Sequence, residues 1–284
     1  MKKLAATLGV VGFAMVGPVV AAPFFFSTGS PNGLIGTSSQ RPGAGRVETE
    51  TADDFILSNH TLINHATFYG LLPSGAPLSS VSDVEIEFYH VFPADSANPP
   101  SGHVPTRVNS PGDVEIGAAT RDSGTLSFTT TLLNASFTVA NTVVNGINKI
   151  PNQMTGGEGP ATGEEVLFDV TFSIPIDLQA DHYFFRPEVG LPNGNFLWLS
   201  APKPITAGTG PFVGDLQSWI RNDGPGALAP DWLRIGTDIT GQGPFNAAFS
   251  LSGTTPGTTP EPGTLALVGL ALAGLATLRR RAQN

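Results

Sequence analysis

The chain has 284 residues, a formal net charge of −9, and 40% hydrophobic residues. It contains no cysteine, which excludes thiolate metal sites and cysteine nucleophiles and leaves stability to a packed core. Because an acidic surface repels nucleic acid and anionic lipid headgroups, we expect no nucleic-acid partner.

The first 21 residues have the pattern of a secretory signal peptide. Two lysines follow Met1, an apolar run covers residues 4–20, and small residues stand at Ala21 and Ala22. Pro23 would follow a cut after Ala22 and would be poorly tolerated there, so we place the cleavage after Ala21. Signal peptidase is then a processing partner of the chain. An uncleaved N-terminal anchor is the alternative.

Residues 22–253 are predicted to form one β-rich body. The chain has 34 glycines and 25 prolines, which separate short apolar runs, and it lacks long helical periodicity. About ten short strands with Gly/Pro turns are expected, a pattern typical of sandwiches and barrels. The expected fold class is therefore all-β. It would be an antiparallel, jelly-roll-like β-sandwich flanked by an N-terminal signal helix and a C-terminal transmembrane helix.

Several segments alternate apolar and polar residues with the period of a half-buried strand. In one of them, Glu85 and Glu87 are expected on a solvated face, opposite an apolar core face. In another, the core face is expected to run from Val166 to Ile174. Further strands are expected at 54–57, 181–186, 196–199, 232–235 and 245–252.

The apolar run 124–141 changes phase in its middle, since apolar residues occupy even positions before Leu132 and odd positions after it. A phase change within one apolar run predicts a bulge or a short turn near Leu132 and Leu133. The same irregularity is expected within residues 62–69.

Asp53 and Asp54 are the candidate ligands for a structural Ca²⁺, and Glu48 and Glu50 just before them could supply further oxygen ligands, because acidic segments of exported proteins offer hard oxygen donors. They match no known calcium loop, and no cofactor is otherwise expected. The five histidines show no metal-ligand spacing and are expected to serve packing or the surface: His60, His65, His90, His103 and His182.

Two further residue sets bear on function. Glu85 and Glu87 lie on one strand face, and paired carboxylates can cleave glycosides, although an alternating strand also needs a polar outer face. The aromatic residues could form a sugar-stacking platform, but the tryptophans are expected in the core: Trp198, Trp219, Trp232, Tyr69, Tyr89 and Tyr183. Motifs of serine hydrolases, phosphate loops and zinc proteases are absent from the sequence, so no catalytic residues are assigned.

The C-terminal end has three parts in a fixed order, after a Thr/Pro/Gly linker at 254–259. A Pro-Glu-Pro triplet opens the segment 260–284, a predicted transmembrane helix covers 264–278, and three arginines follow at 279–281. The apolar run would make roughly 22 Å of helix, which is short for the ~30 Å hydrocarbon core, but arginine side chains can reach the headgroups. The positive-inside rule places these arginines in the cytoplasm and the body outside.

This tail resembles a PEP-CTERM sorting signal. The resemblance rests on Pro260, Glu261 and Pro262, on the apolar helix, and on Arg279, Arg280 and Arg281 as the membrane stop. It implies an exported protein of a Gram-negative bacterium, processed near the motif by exosortase, a membrane-embedded transpeptidase. The membrane attachment would then be transient. A plain anchor that is never cut is the alternative.

The function predicted from the sequence is a non-enzymatic protein of the cell surface or extracellular matrix, reached through an inner-membrane intermediate. The resemblance also implies an association with exopolysaccharide. A carbohydrate-binding, lectin-like module is the first alternative, which an exposed coplanar Trp/Tyr pair would favour. A polysaccharide-active enzyme is the second, which two carboxylates about 5 to 9 Å apart in a cleft would favour.

Overall fold

The structure is a computed structural model, and it describes residues 21–43, 45–95, 104–116, 121–145, 147, 154–202, 214–223, 231–257, 268–275 and 279. Residues Pro23–Thr255 form one compact unit, which is almost entirely β. Its strands are β1 (Ala22–Ser27), β2 (Ile35–Ser38), β3 (Glu48–Leu57), β4 (Thr61–Pro73), β5 (Asp83–Val91), β6 (Pro111–Glu115), β7 (Leu126–Val139), β8 (Asn141–Val143), β9 (Ala161–Leu178), β10 (Asp181–Gly190), β11 (Leu197–Ala201), β12 (Trp219–Asp223), β13 (Leu233–Arg234), β14 (Asn246–Ala247) and β15 (Phe249–Thr255).

The strands form two sheets. The nine-stranded sheet has the order β1-β15-β4-β11-β2-β8, with β14 beside β11, and with β9 beside β4 and β7 beside β9. The six-stranded sheet has the order β13-β12-β3-β10-β5-β6. Short helical turns at Leu78–Ser80 and Ile235–Ile239 connect strands within this unit.

Aromatic side chains from the two sheets meet in one apolar core. Phe185 of β10 stacks on Phe249 of β15 at a ring-centroid distance of 5.0 Å, and it contacts Trp198 of β11 edge-on at 5.8 Å. Phe88 of β5 contacts Phe172 of β9 at 6.4 Å. Such pairs add to the free energy gained from burying their large apolar surfaces. Side chains from both sheets therefore contribute to the main core.

The period-two predictions are confirmed in their main features. Val84, Ile86 and Phe88 are buried in the core, and so is the series from Val166 to Phe172. The predicted irregularity near Leu132 is also confirmed, because the pairing of β7 with β9 shifts register between Leu132 and Asn134 and again before Phe137. A shift between Ile63 and His65 confirms the irregularity predicted in β4.

Ile174 was wrongly predicted to lie on the core face, since its side chain is 69% exposed. The pairing of β4 with β9 explains this error. His65 pairs with Thr171 and Ile63 with Ile176, so β9 carries extra residues between these pairs and the alternation breaks there. Ile176 takes the buried position instead.

Three further expectations about the fold need correction. The described residues form fifteen strands rather than about ten, because several edge strands are only two or three residues long. The pairing is not purely antiparallel, since β2 and β8 run parallel. Thr254 and Thr255, expected in the linker, continue β15 beside β4.

The terminal segments are described only in small part. Residues 268–275 are helical with exposed side chains, and Arg279 is helical as well. Among the described residues, no helix combines the length and the apolar character needed to cross a membrane. The predicted signal segment up to residue 20, the motif at 260–262, and Arg280 and Arg281 lie outside the described residues.

Candidate functional site

An extended ionic cluster lies on the outer face of the six-stranded sheet, the face opposite the aromatic core. Arg186 of β10 lies at its centre, because adjacent strands place glutamates beside it: Glu87 of β5 is its direct cross-strand partner. We define the ionic cluster by these residues: Glu48, Glu50, Glu85, Glu87, Tyr89, Arg186, Glu188 and Arg221.

The Arg186 guanidinium contacts carboxylates on three strands. Nη1 lies 2.9 Å from Glu87 Oε2, and Nη2 lies 3.2 Å from Glu188 Oε2. Nε is 3.4 Å from Glu50 Oε2, and Nη2 is also 3.4 Å from Glu48 Oε1. Arg186 is almost fully buried, so each of these charges depends on its neighbours rather than on water.

Arg221 of β12 connects the ionic cluster to the aromatic layer above the sheet. Its Nε donates to Glu50 Oε2 at 2.6 Å, and its Nη2 donates to the Tyr89 hydroxyl at 3.2 Å. Tyr89 in turn donates to Glu87. The Arg221 guanidinium also lies 4.6 Å from the ring centroid of Trp232, a cation–π contact that shields it from solvent.

Arg41 contacts the ionic cluster at its more exposed end. Its guanidinium pairs with Glu85 and lies 3.5 Å from Glu188 Oε2 and 3.8 Å from Glu48 Oε1. The Arg41 side chain is about a third exposed, in contrast to Arg186. Solvent therefore reaches the cluster beside Arg41 and not at its centre.

Burial and charge shift the proton affinities within the ionic cluster. Burial raises the pKa of the Glu188 carboxyl well above its usual range; Arg186 opposes this rise, and Glu48 and Glu50 add to it. Burial lowers the pKa of the Arg186 guanidinium, but Glu188, Glu50 and their neighbours more than reverse this and hold it well above the usual value. Arg186 thus keeps its charge, and burial favours the protonated form of Glu188.

The expectation that Glu85 and Glu87 form a solvated face was wrong. Both side chains are buried, because segments outside the strands cover this face. Their carboxylates contact arginines, Glu85 with Arg41 and Glu87 with Arg186. The arrangement can neutralise buried charge and link neighbouring strands of the sheet through ion pairs. Sequence reasoning missed the role of Arg186, whose only signal was an arginine that directly follows an aromatic run in a predicted strand.

The two calcium candidates point to opposite faces of β3. Asp53 accepts hydrogen bonds from Ser218 Oγ and from the Ala247 backbone N–H, both at 2.9 Å. Asp54 Oδ2 lies 2.5 Å from His182 Nε2 on the other face. Burial, and next the charge of Asp54, raise the pKa of Asp53 well above its usual range. Their carboxylates do not converge on one point, as expected for adjacent strand residues.

Within the part of the chain that the structure describes, no group of three or more His, Asp or Glu side chains is arranged to hold a metal ion. The histidines pair singly with aspartates instead. His60 lies 2.6 Å from Asp177, and His90 lies 3.1 Å from Asp181. His103 lies outside the described residues.

His65 forms a cross-strand row that the sequence did not suggest. Its Nε2 is 2.7 Å from Asp169 Oδ1 on β9, and its Nδ1 is 3.5 Å from Ser252 Oγ on β15. This order resembles a nucleophile, base and orienting acid. The row lies on the outer face of the nine-stranded sheet, and the pocket that the structure describes beside this sheet does not include it.

The expectation that the tryptophans serve the core is confirmed. Trp198, Trp219 and Trp232 are all buried, as are Tyr89 and Tyr183. Tyr69 is partly buried. Burial raises the pKa of Tyr183 to about 12. None of the three tryptophans can stack on a sugar ring at the surface.

A shallow pocket of about 240 Å³ lies beside the nine-stranded sheet. Its walls are mostly apolar, and none of the candidate residues lines it. The lining includes Leu71, Thr142, Val144, Thr162, Asn195 and Leu197. Without a charged or titratable side chain, this pocket offers no group for catalysis.

The chain thus combines a β-rich body with a separate C-terminal segment. Residues 258–281 match the PEP-CTERM protein-sorting motif, so the resemblance stated from the sequence is confirmed. The chain carries a PEP-CTERM sorting motif, which implies export through the cell envelope and processing by exosortase. No curated protein matches the chain.

Proposed function

We propose that this chain is a non-enzymatic exported protein that exosortase delivers to the cell surface or the extracellular matrix. The observation that carries the proposal is the match of residues 258–281 to the sorting motif. Its body would be a β-sandwich of jelly-roll type, serving a structural or adhesive role in an exopolysaccharide layer. The facing aromatic surfaces of the two sheets support the sandwich arrangement.

The tail would act in three steps. Signal peptidase removes the leader at Ala21–Ala22 during export. The apolar segment 264–278 then stops in the inner membrane, with the arginines at 279–281 on the cytoplasmic side. Exosortase cuts near Pro260-Glu261-Pro262 and releases the body. The membrane attachment is transient in this scheme, which separates it from a permanent anchor.

A passive role for the body is supported by how its chemically active side chains are used. The buried carboxylates of the ionic cluster lie against Arg41, Arg186 and Arg221 rather than in an open cleft. Glycoside cleavage needs carboxylates that reach a substrate. The burial of all three tryptophans also counts against a sugar-stacking platform built on them.

The targeting proposal is tested by replacing the glutamate of the motif. We expect Glu261→Ala to leave the protein in the inner-membrane fraction, because exosortase no longer recognises the tail. Asp177→Asn is the matched control, since it removes one negative charge from an exposed position in the body. Cell fractionation and immunoblotting provide the measurement. Unchanged release of Glu261→Ala would contradict recognition through the motif.

The role of the body is tested with a glycan array, probed with and without EDTA. The proposal of a purely structural body predicts no binding to individual glycans in either condition. Binding that survives EDTA would establish a metal-independent carbohydrate-binding module. Binding that EDTA abolishes would establish a calcium-dependent one, and either result would overturn the structural role.

A further inference from the structure

The strand that leads into the C-terminal tail lies beside the first strand of the body. β15 ends at Thr255, and Thr254 pairs with Leu62 near the start of β4. On its other side, β15 neighbours β1. The backbone N–H of Thr28, directly after β1, donates to the carbonyl of Phe249, the first residue of β15. Because the end of β1 meets the start of β15, the two strands run antiparallel, and the body therefore begins and ends at the same end of this sheet.

Two turns that connect the sheets lie at this end as well. Thr61, the first residue of β4, pairs with Leu178, the last residue of β9. Leu57, the last residue of β3, pairs with Asp181, the first residue of β10. The β3–β4 turn and the β9–β10 turn therefore lie beside the start of β1 and the end of β15. We call this end of the body the exit end and define it by Ala22, residues 58–60, residues 179–180 and Thr255.

The length of the tail limits which part of the body can meet the membrane. The predicted transmembrane helix begins at Thr264, nine residues after Thr255. Even fully extended, that segment spans only about 30 Å. The 13 residues of β4 run from the exit end at Thr61 to the opposite end at Pro73 and span about 43 Å. An anchored body therefore cannot stand on its opposite end, because the tail is too short to reach around it.

The strands next to the tail carry no charge, although the body as a whole is acidic. The segment 22–253 has a formal charge near −13, because the flanking segments contain five basic residues and one acidic residue. The neighbouring strands β1, β15 and β4 contain no Asp, Glu, Lys or Arg. Asp177, near the exit end on β9, lies 2.6 Å from His60. These three strands thus add no repulsion between the acidic body and lipid phosphate groups.

Two large apolar side chains near the exit end are exposed to solvent. Phe25 is 72% exposed and Ile174 is 69% exposed, the highest values among the large apolar residues of the described body. Phe24 and Phe26 pack against the main core, so Phe25 between them points away from it. Phe25 is the fourth residue of β1, and Ile174 is four residues from the end of β9. Both therefore lie within about 13 Å of the exit end, measured along their strands.

We propose that the exit end is a membrane-contact surface, by which the body rests on the outer side of the inner membrane while its tail is anchored. Phe25 and Ile174 enter the lipid headgroup region, where their apolar surface leaves water. The inference rests on the membrane attachment proposed above for the tail. The contact holds residues 256–259 beside the bilayer, which keeps the Pro-Glu-Pro motif within reach of a membrane-embedded exosortase.

The test measures contact with lipid in phosphatidylcholine vesicles. It uses residues 22–284, the form that signal peptidase leaves, because an attached leader would itself bring Phe25 to the membrane. The chain has no cysteine, so Phe25→Cys and Ile174→Cys each provide a single site for a fluorophore. We expect nitroxide-labelled lipid headgroups to quench the fluorophore at both positions. Asn193→Cys is the control, since this exposed residue follows β10 at the opposite end and should remain unquenched.

A second pair of variants tests whether the apolar side chains make the contact. Added to labelled Phe25→Cys, Ile174→Asp should reduce quenching, because a carboxylate opposes entry into the headgroups. Leu132→Asp should leave quenching unchanged, since Leu132 is exposed on β7 and pairs with Val166, towards the opposite end. Equal effects of the two aspartates would overturn the proposal.

Vesicle flotation reports the attachment of the tail separately from the contact of the exit end. Chain that floats with the vesicles but shows no quenching at Phe25 and Ile174 would overturn the membrane contact and leave the sorting proposal intact. Equal quenching at Asn193 would overturn the contact as well. Chain that does not float would overturn both the contact and the membrane attachment on which it rests.

Discussion

The outer faces of the two sheets have similar alternating sequence patterns but lie in different environments in the folded protein. On the six-stranded sheet, Glu85 and Glu87 alternate with core residues and are buried in the ionic cluster. On the nine-stranded sheet, Asp169 and Thr171 alternate with core residues in the same way, and they remain accessible to solvent. Period-two alternation thus identifies the core face of a strand but does not predict whether the opposite face is buried or exposed to solvent.

The difference arises from what lies over each face. Tyr89 and Trp219 on the six-stranded sheet pack with Leu216 and Trp232, which come from segments outside the central strands. Trp232 also donates its indole N–H to the Gly112 carbonyl, which ties the segment that contains Trp232 to β6. The described outer face of the nine-stranded sheet instead carries small polar contacts, such as Thr67 with Ser250 at 2.6 Å and His65 with Asp169 at 2.7 Å. A charged side chain that other residues cover must have a partner of opposite charge, whereas a charged side chain in water does not need one.

The largest expected effect comes from removing the central cation of the ionic cluster. Arg186→Met should lower the free energy of unfolding by about 3–5 kcal/mol, because it leaves Glu50, Glu87 and Glu188 buried without their shared partner. Urea denaturation of the full chain provides the measurement. A loss below about 1 kcal/mol would mean that the outer face is solvated, as the simple alternation predicts.

A smaller effect is expected from the bridging hydroxyl of the ionic cluster. Tyr89→Phe keeps the ring against Trp232 but removes the hydroxyl that connects Glu87 with Arg221. Hydrogen bonds to buried charged groups are worth about 1.5–3 kcal/mol, so a loss in that range is expected. Tyr69→Phe, on the less buried side of β4, is the matched control and should change little. Equal losses in both variants would contradict the burial difference.

Glu188 should make stability depend on pH in a definite direction. Because its pKa is raised in the folded state, the folded protein binds this proton more tightly than the unfolded chain does. Its contribution is therefore complete at pH below the usual glutamate pKa and is lost as pH rises through the raised value. Each unit of elevation corresponds to about 1.4 kcal/mol. Glu188→Gln, which mimics the neutral acid, should flatten the decline of unfolding free energy with rising pH.

The profile of Glu188→Gln is compared with that of Glu164→Gln, a partly exposed glutamate on the other sheet. Denaturation midpoints between acid and neutral pH provide both profiles. Parallel curves for wild type and Glu188→Gln would show that Glu188 ionises normally. The Glu164 variant should follow the wild-type curve throughout.

The smallest effect is expected on the open face. Asp169→Asn removes the partner of His65. The side chains of His65 and Asp169 are 32% and 48% exposed, so solvent screens their interaction. Exposed pairs typically contribute about 0–1 kcal/mol, and salt should screen this contribution. Thermal unfolding at low and high salt tests it. A loss as large as that of Arg186→Met would remove the distinction between the two outer faces.

The sequence predicted the core faces well because burial of apolar residues on one side of a strand leaves a local signal. The burial of Val84, Ile86 and Phe88 could be predicted without knowing which strands lie beside them. The register irregularity at Leu132 could be predicted from the sequence of that strand alone. The covering of Glu87 could not be predicted, since it depends on residues far along the chain. The exposure of Ile174 depends on the pairing of β9 with β4, which is equally non-local.

The sorting tail was predictable for a different reason. Its triplet, apolar run and arginines are contiguous, so their order is present in the sequence without any folding. The ionic cluster instead draws its members from four strands, β3, β5, β10 and β12, and only the pairing of those strands brings them together. A motif of contiguous residues can be recognised from the sequence, whereas a site formed by distant residues can be recognised only once the strand pairing is known.

Processing of the tail is tested most directly by intact-mass spectrometry of the protein that cells release. Cleavage near Pro260-Glu261-Pro262 predicts a mature chain that begins after the leader and lacks the apolar segment and the arginines at 279–281. The C-terminal residue would be located from the same mass. Released protein that retains the full tail through Asn284 would contradict processing at the motif.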